Sequence, residues 1–98
     1  MEMISMKICD SSIFKSVSEF TVEDFEGSKI LFNHHTEDID ILSGVAWEIF
    51  ALIDGHKRIK DISLLLHERY ADQAYETIET DLKRIIVEFN ELGLINAL

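Results

Sequence analysis

Proline is absent from the 98 residues, cysteine occurs once and glycine four times. Without proline the usual signal of a rigid linker is missing, and no internal repeat or low-complexity tract divides the chain. The lone Cys9 has no mate, which excludes an internal disulfide and fits a reducing compartment. Positive charge is scarce: Lys and Arg number 9 against 19 for Asp and Glu, a formal charge of -10. A polyanion would therefore meet repulsion instead of the counterion release that drives nucleic-acid binding, so no nucleic-acid partner is expected. No run approaches the roughly 18 apolar residues of a membrane span. Met1 to Asp10 carries one Lys and no continuous apolar stretch, unlike a signal peptide, so the expectation is a cytoplasmic protein without a membrane partner.

What is present is apolar content of 47%, enough for one core and too little chain for a second lobe. Residues 1–13 read as a flexible N-terminal segment and residues 14–98 as a single domain. From Phe14 to Phe25, β-branched and aromatic residues mix with polar ones, as in a half-buried strand or a bent pair of strands. Glu26-Gly27-Ser28 supplies a turn. Lys29 to Asn33 is a short apolar run and Asp38 to Leu42 an alternating one, which together read as a hairpin. The sum is a three-stranded antiparallel sheet, whose edge strands carry backbone groups that must be blocked, covered or used.

Three helices follow. Val45 to Ile53 is almost wholly apolar, with Ser43 as the expected N-cap and Asp54-Gly55 as the stop, and should be a core helix buried on several sides. The second helix, about Ile59 to Tyr70, has Asp61 in its first turn, where the macrodipole favours an acid. The third, about Tyr75 to Leu92, repeats Ile78, Leu82, Ile85, Phe89 and Leu92 at three- and four-residue spacing, and Gly93 ends it. Ile86 and Val87 fall off that stripe; they line a groove, complete the core or meet a second copy in a homodimer.

No catalytic set is legible. Adjacent His34 and His35 point in opposite directions in an extended segment and share no ligand geometry, so a solvated turn is the reading and no metal is expected. Glu76, Glu79 and Asp81 are the outer face and first turn of a helix. Cys9 has no base beside it, and Trp47 is expected to pack within its helix. Nucleophile–base pairs, phosphate-binding glycine loops and metal-spaced cysteines are all missing, so neither an enzyme nor a cofactor is expected.

The segment Leu42-Ser43-Gly44-Val45-Ala46-Trp47-Glu48-Ile49-Phe50-Ala51-Leu52-Ile53-Asp54-Gly55 resembles the pattern Leu-Asn-x-Thr-Ala-Ala-x-Ile-Trp-x-Leu-Leu-Asp-Gly of the PqqD-like family. These are the precursor-peptide recognition elements (RiPP recognition elements) of ribosomal peptide natural-product pathways. Leu42, Ala46, Ile49, Leu52, Asp54 and Gly55 match outright, and Asp81-Leu82 and Gly93-Leu94-Ile95 extend the likeness over about Ser18 to Ile95. Ser43 replaces Asn with capping chemistry kept. Arg58 stands where a Thr would cap the second helix, so that cap is expected to be lost and the helix start frayed by one residue.

The resemblance implies an α+β, winged-helix-like fold, a three-stranded antiparallel sheet followed by three helices. It also implies a non-catalytic peptide-binding chaperone. By resemblance, such domains capture the leader of a precursor peptide by β-strand addition and present it to a separate radical-SAM enzyme, leader peptidase or cyclase of a PQQ-type or lasso-peptide-type pathway. The pairing edge would be Asp38, Ile39, Asp40, Ile41 and Leu42, and the helical wall Leu82, Lys83, Ile86, Val87 and Asn90, with Lys83 and Arg84 steering acids of the leader. Which face of the strand lines the groove stays open, because a bulge would change its phase. Two rival classes are a winged-helix DNA-binding regulator, which would use Lys60, His67, Arg69, Lys83 and Arg84, and an adaptor subunit for a folded protein. A homodimer would compete for the same edge.

Overall fold

The computed structural model describes residues 8–17, 20–34 and 36–98, and resolves the Phe14–Phe25 pattern into two strands that join different sheets. Strand β1 spans Ile13–Ser16, β2 Phe20–Phe25, β3 Ser28–Asn33 and β4 Ile39–Ser43. Strands β2, β3 and β4 form the expected three-stranded antiparallel meander, in that spatial order. Its period-2 pattern puts Leu31, opposite Val22 and Asp40, on the face turned to the helices, where it is fully buried. His35 lies outside the described residues.

The rest of the chain is helix α1 (Val45–Leu52), strand β5 (Asp54–Arg58), helix α2 (Ile59–Arg69), helix α3 (Tyr75–Glu91) and strand β6 (Ile95–Ala97). The last strands build a second sheet that the sequence pattern does not announce, in the order β5-β1-β6, both pairings antiparallel. The α+β class with three helices after the meander is as expected.

Several local expectations are corrected. Gly44, not Ser43, occupies the N-cap of α1, whose start has no side-chain cap. Helix α1 ends at Leu52, three residues before Gly55. Asp54 instead opens β5, its carboxylate accepting from the backbone N–H groups of His56 (2.8 Å) and Lys57 (2.9 Å) and from Lys57 Nζ at 2.6 Å. Those bonds hold the Asp54 carboxyl well below the usual carboxylate range, the Lys57 side chain contributing most. Gly55 has φ 84°, a conformation that favours glycine, and sits where the β1–β5 register shifts, so it serves a bulged strand and not a helix stop.

Helix α1 is also less enclosed than its composition suggests. Two of its residues, Ile49 and Phe50, are buried, whereas Val45 is 41% exposed. Eight residues make little more than two turns, so one face reaches the sheet. Trp47 is half-buried, 6.0 Å from the Phe50 ring, with Lys29 Nζ 5.4 Å over its own. Among the elements, α3 gives the core its largest share, through Ile78, Leu82, Ile85, Ile86 and Phe89. The Phe50 ring bridges Phe20 of β2 and Phe89 of α3 at 5.5 and 5.7 Å between centroids.

The start of α2 is not frayed. Asp61 accepts from the Arg58 backbone N–H at 2.9 Å and from its guanidinium at 3.0 and 3.1 Å, and this pairing lowers the Asp61 pKa. The next two orphan donors, the N–H groups of Ile59 and Lys60, reach the carbonyls of Ser12 (2.9 Å) and Asp10 (3.0 Å). Cap chemistry that the Arg58 side chain cannot supply thus comes from Asp61 and from residues just ahead of β1. Residues 10–13 are accordingly tied to the fold, while residues 1–7 of the expected flexible segment lie outside the described residues. Helix α3 closes as expected at Gly93, with φ 76°: the Leu94 N–H donates to Phe89 O (2.9 Å) and the Gly93 N–H to Asn90 O (3.1 Å), a Schellman pair.

A free strand edge beside an apolar cleft

Strand β4 pairs with β3 on one side, and no described strand lies on the other. Its register is unbroken, Ile39 opposite Phe32 through Ser43 opposite Ser28, so no bulge intervenes. The pair just beyond, Asn33 and Asp38, is hydrogen-bonded through Asn33 N–H to Asp38 O at 2.9 Å. Because bonded pairs alternate in an antiparallel ladder, Asp40 and Leu42 direct their backbone groups to β3, and Ile39, Ile41 and Ser43 direct theirs to the unpaired edge. The side chains divide oppositely. Asp40 and Leu42 face the helices, with Leu42 buried, and Ile39 and Ile41 face away, 62% and 66% exposed. The phase left open by the sequence is therefore the one without a bulge, and Leu42 is a core residue.

Two residues past β4 the chain enters a cleft of about 150 Å³. Val45 and Ile49 of α1, Leu66 and Tyr70 at the end of α2, and Ile78, Asp81, Leu82 and Ile85 of α3 form its walls. Tyr70 donates its hydroxyl proton to Glu48 at 2.8 Å, a bond that raises the phenol pKa, and Arg69 lies 3.5 Å from the same carboxylate. These contacts fix the separation of α1 and α2, and so the width of the opening.

Of the expected wall, Leu82 alone borders this cleft. Ile86 is fully buried and does not line the cleft: it completes the core. Lys83 points elsewhere, its Nζ 3.8 Å from Asp10, and Arg84 pairs with Glu88 at 3.2 Å, so both steering cations already face acids of the chain. Val87 is half-buried and Asn90 exposed, off the cleft. Lys83 and Ile86 thus lie on sides of α3 other than the one that lines the cleft. Val45, Ile49, Tyr70, Asp81 and Ile85 were missed. Val45 had a signal in being an apolar residue at the first helical position, while Ile85 was read as stripe and core.

Other candidates resolve into structure. His34 hydrogen-bonds Thr21 and contacts the Phe32 ring edge-on. His67 packs against Tyr75, and Arg69, Lys83 and Arg84 each meet an acid, which leaves little organised positive surface for phosphates. Among the described residues no three His, Cys, Asp or Glu side chains group closely enough to hold a metal ion. No helix there is long and apolar enough to cross a membrane.

No protein of curated function matches the chain in sequence. Among solved structures, one described as TbiB1 in complex with the TbiA(beta) leader peptide superposes with a TM-score of 0.72, over 84% of this chain and 94% of that one, at 20% identity. At that identity the likeness shows a shared fold. The family of coenzyme PQQ synthesis protein D (PqqD) matches residues 29–95, a span from β3 through the first residue of β6 that contains the β4 edge and the cleft. The chain belongs to the PqqD family.

Proposed function

We propose that this protein binds the leader segment of a ribosomally made precursor peptide as an added strand on β4. It then presents that peptide to a separate modifying or processing enzyme, such as a radical-SAM maturase, leader peptidase or cyclase. It acts as one domain in the cytoplasm, without chemistry of its own. The observation that carries the reading is the unpaired edge of Ile39, Ile41 and Ser43 running into the apolar cleft at Val45. Backbone bonding at such an edge holds an extended chain of almost any sequence, while a pocket at its end selects one side chain. The shared fold with a protein solved around a leader peptide supports the same assignment.

Two or three backbone hydrogen bonds at about 1 kcal/mol net each, with one apolar anchor at about 1.5 to 3 kcal/mol, can offset the ordering of a short disordered segment only if the edge is preformed. The unbroken register of β4 against β3 supports a preformed edge.

The test is a titration of the whole protein with the leader of the precursor encoded beside it, read by Trp47 fluorescence or calorimetry. Ile41→Pro removes one outward N–H and no bond to β3, and is expected to weaken binding at least about tenfold with the fold intact. Val45→Glu, which puts a charge in the cleft, should do the same. Binding that is indifferent to both substitutions would overturn the assignment.

A further inference from the structure

Asp40 is out of keeping with its surroundings. It lies on the helix-facing side of the edge strand, between buried Leu42 and the β3–β4 turn, opposite fully buried Leu31. Its side chain is half-buried, and among the described residues it has neither a hydrogen-bond nor an ion-pair partner. The cation on the same face of the sheet, Lys29, is committed to Asp24 and to the Trp47 ring. Burial, and next the neighbouring Asp38 charge, push the Asp40 carboxyl above its ordinary range, so the site is short of positive charge.

We propose that Asp40 is a specificity filter, admitting to the β4 edge those peptides that place a Lys or Arg directly beside it and disfavouring the rest. The inference rests on the proposed function and deepens it. Because the backbone of Asp40 points to β3, a guest residue opposite it in an antiparallel ladder occupies a non-hydrogen-bonded pair, where side chains approach most closely. A guest with an apolar residue there completes the burial of an unpaired carboxylate, which is costly; a guest with a cation neutralises it. An inward-pointing charge on an edge strand is also a recognised guard against indiscriminate strand pairing. The filter joins the two effects, excluding wrong partners with the same group that holds the right one.

The experiment selects random peptides from a display library on the whole protein and on its Asp40→Asn, Asp40→Lys and Ile41→Pro variants, each first checked for native circular dichroism. Peptides recovered on the unaltered protein should share a Lys or Arg at one aligned position and be lost on Ile41→Pro. In the best of them, replacing that residue by Met should weaken binding roughly fivefold on the unaltered protein and not on Asp40→Asn. Asp40→Lys should recover Asp or Glu at the same position. Peptides that depend on the Ile41 N–H yet show no basic preference, or keep it on Asp40→Asn, would overturn the filter and leave the edge-binding function standing. Recovery of no peptide, or of peptides indifferent to Ile41→Pro, would overturn both.

Discussion

The two sheets are built from opposite kinds of sequence. The meander β2-β3-β4 is local, one hairpin after another, and rich in apolar residues on both faces: Phe25, Ile39 and Ile41 remain 60%, 62% and 66% exposed. The second sheet is non-local. Its central strand β1 is clamped between β5, whose sequence Asp-Gly-His-Lys-Arg is wholly polar apart from glycine, and the C-terminal β6. Around it the Ser12 and Asp10 carbonyls cap α2, and the Leu98 N–H donates to Ile13 O at 2.9 Å. Apolar content therefore does not identify the sheet that holds the fold. The polar strand closes the domain through backbone bonds, and among the described residues the apolar meander keeps one edge unpaired and one face exposed.

The sharpest way to break that contrast is to remove a side chain from each sheet. Phe14 of β1 is 3% exposed and belongs to the core, so Phe14→Ala should cost about 3 to 5 kcal/mol in urea unfolding. Ile39→Ser, on the open face of the meander, should stay within about 0.5 kcal/mol. Comparable losses for the two would erase the distinction between a closing sheet and a presenting one.

A second, smaller effect sharpens the contrast through acid sensitivity. Asp54 and Asp61, at either end of β5 and the start of α2, have lowered pKa values because the side chains of Lys57 and Arg58 bond them. An acid whose pKa falls on folding adds stability above its unfolded value near 3.8, and that stability is lost as pH drops through the lower folded value. Asp61→Ala should therefore reduce the thermal midpoint at pH 7, and the difference from the unaltered protein should shrink below pH 3.8. An unchanged gap at low pH would mean that Asp61 acts by packing and not by its charge.

Much of this architecture was legible because it is local. The stripe of α3 gave that helix to within a residue of its end, and the alternation in Asp38-Ile39-Asp40-Ile41-Leu42 gave the edge strand. What escaped depends on distant partners. Strand β5 has no period-2 hydrophobicity, since its bonding partner β1 lies some forty residues earlier in the chain. In α3 the Lys83 side chain meets Asp10, far earlier in the chain, whereas Asp81 and Ile85 line the cleft. Arg58 looked like a lost cap because single-residue capping rules do not see carbonyls brought in from Asp10 and Ser12.

The smallest expected effect has the opposite sign and lies in the meander. Asp40 is the one described carboxylate with a raised pKa, pushed up first by burial and then by Asp38, with Lys29 on the same face already drawn to Asp24. An acid whose pKa rises on folding weakens the native state when ionised; the penalty is absent below the unfolded value near 3.8 and complete above the folded one. Asp40→Asn should thus stabilise the free protein slightly at pH 7, by less than about 0.5 kcal/mol once solvent screening is allowed for, and should give no gain at pH 3. Removing a carboxylate would then strengthen the fold while weakening selection among guests, which is how a residue kept for recognition differs from one kept for stability. A loss of stability at pH 7 would instead place Asp40 with Asp54 and Asp61 among the groups that close the domain.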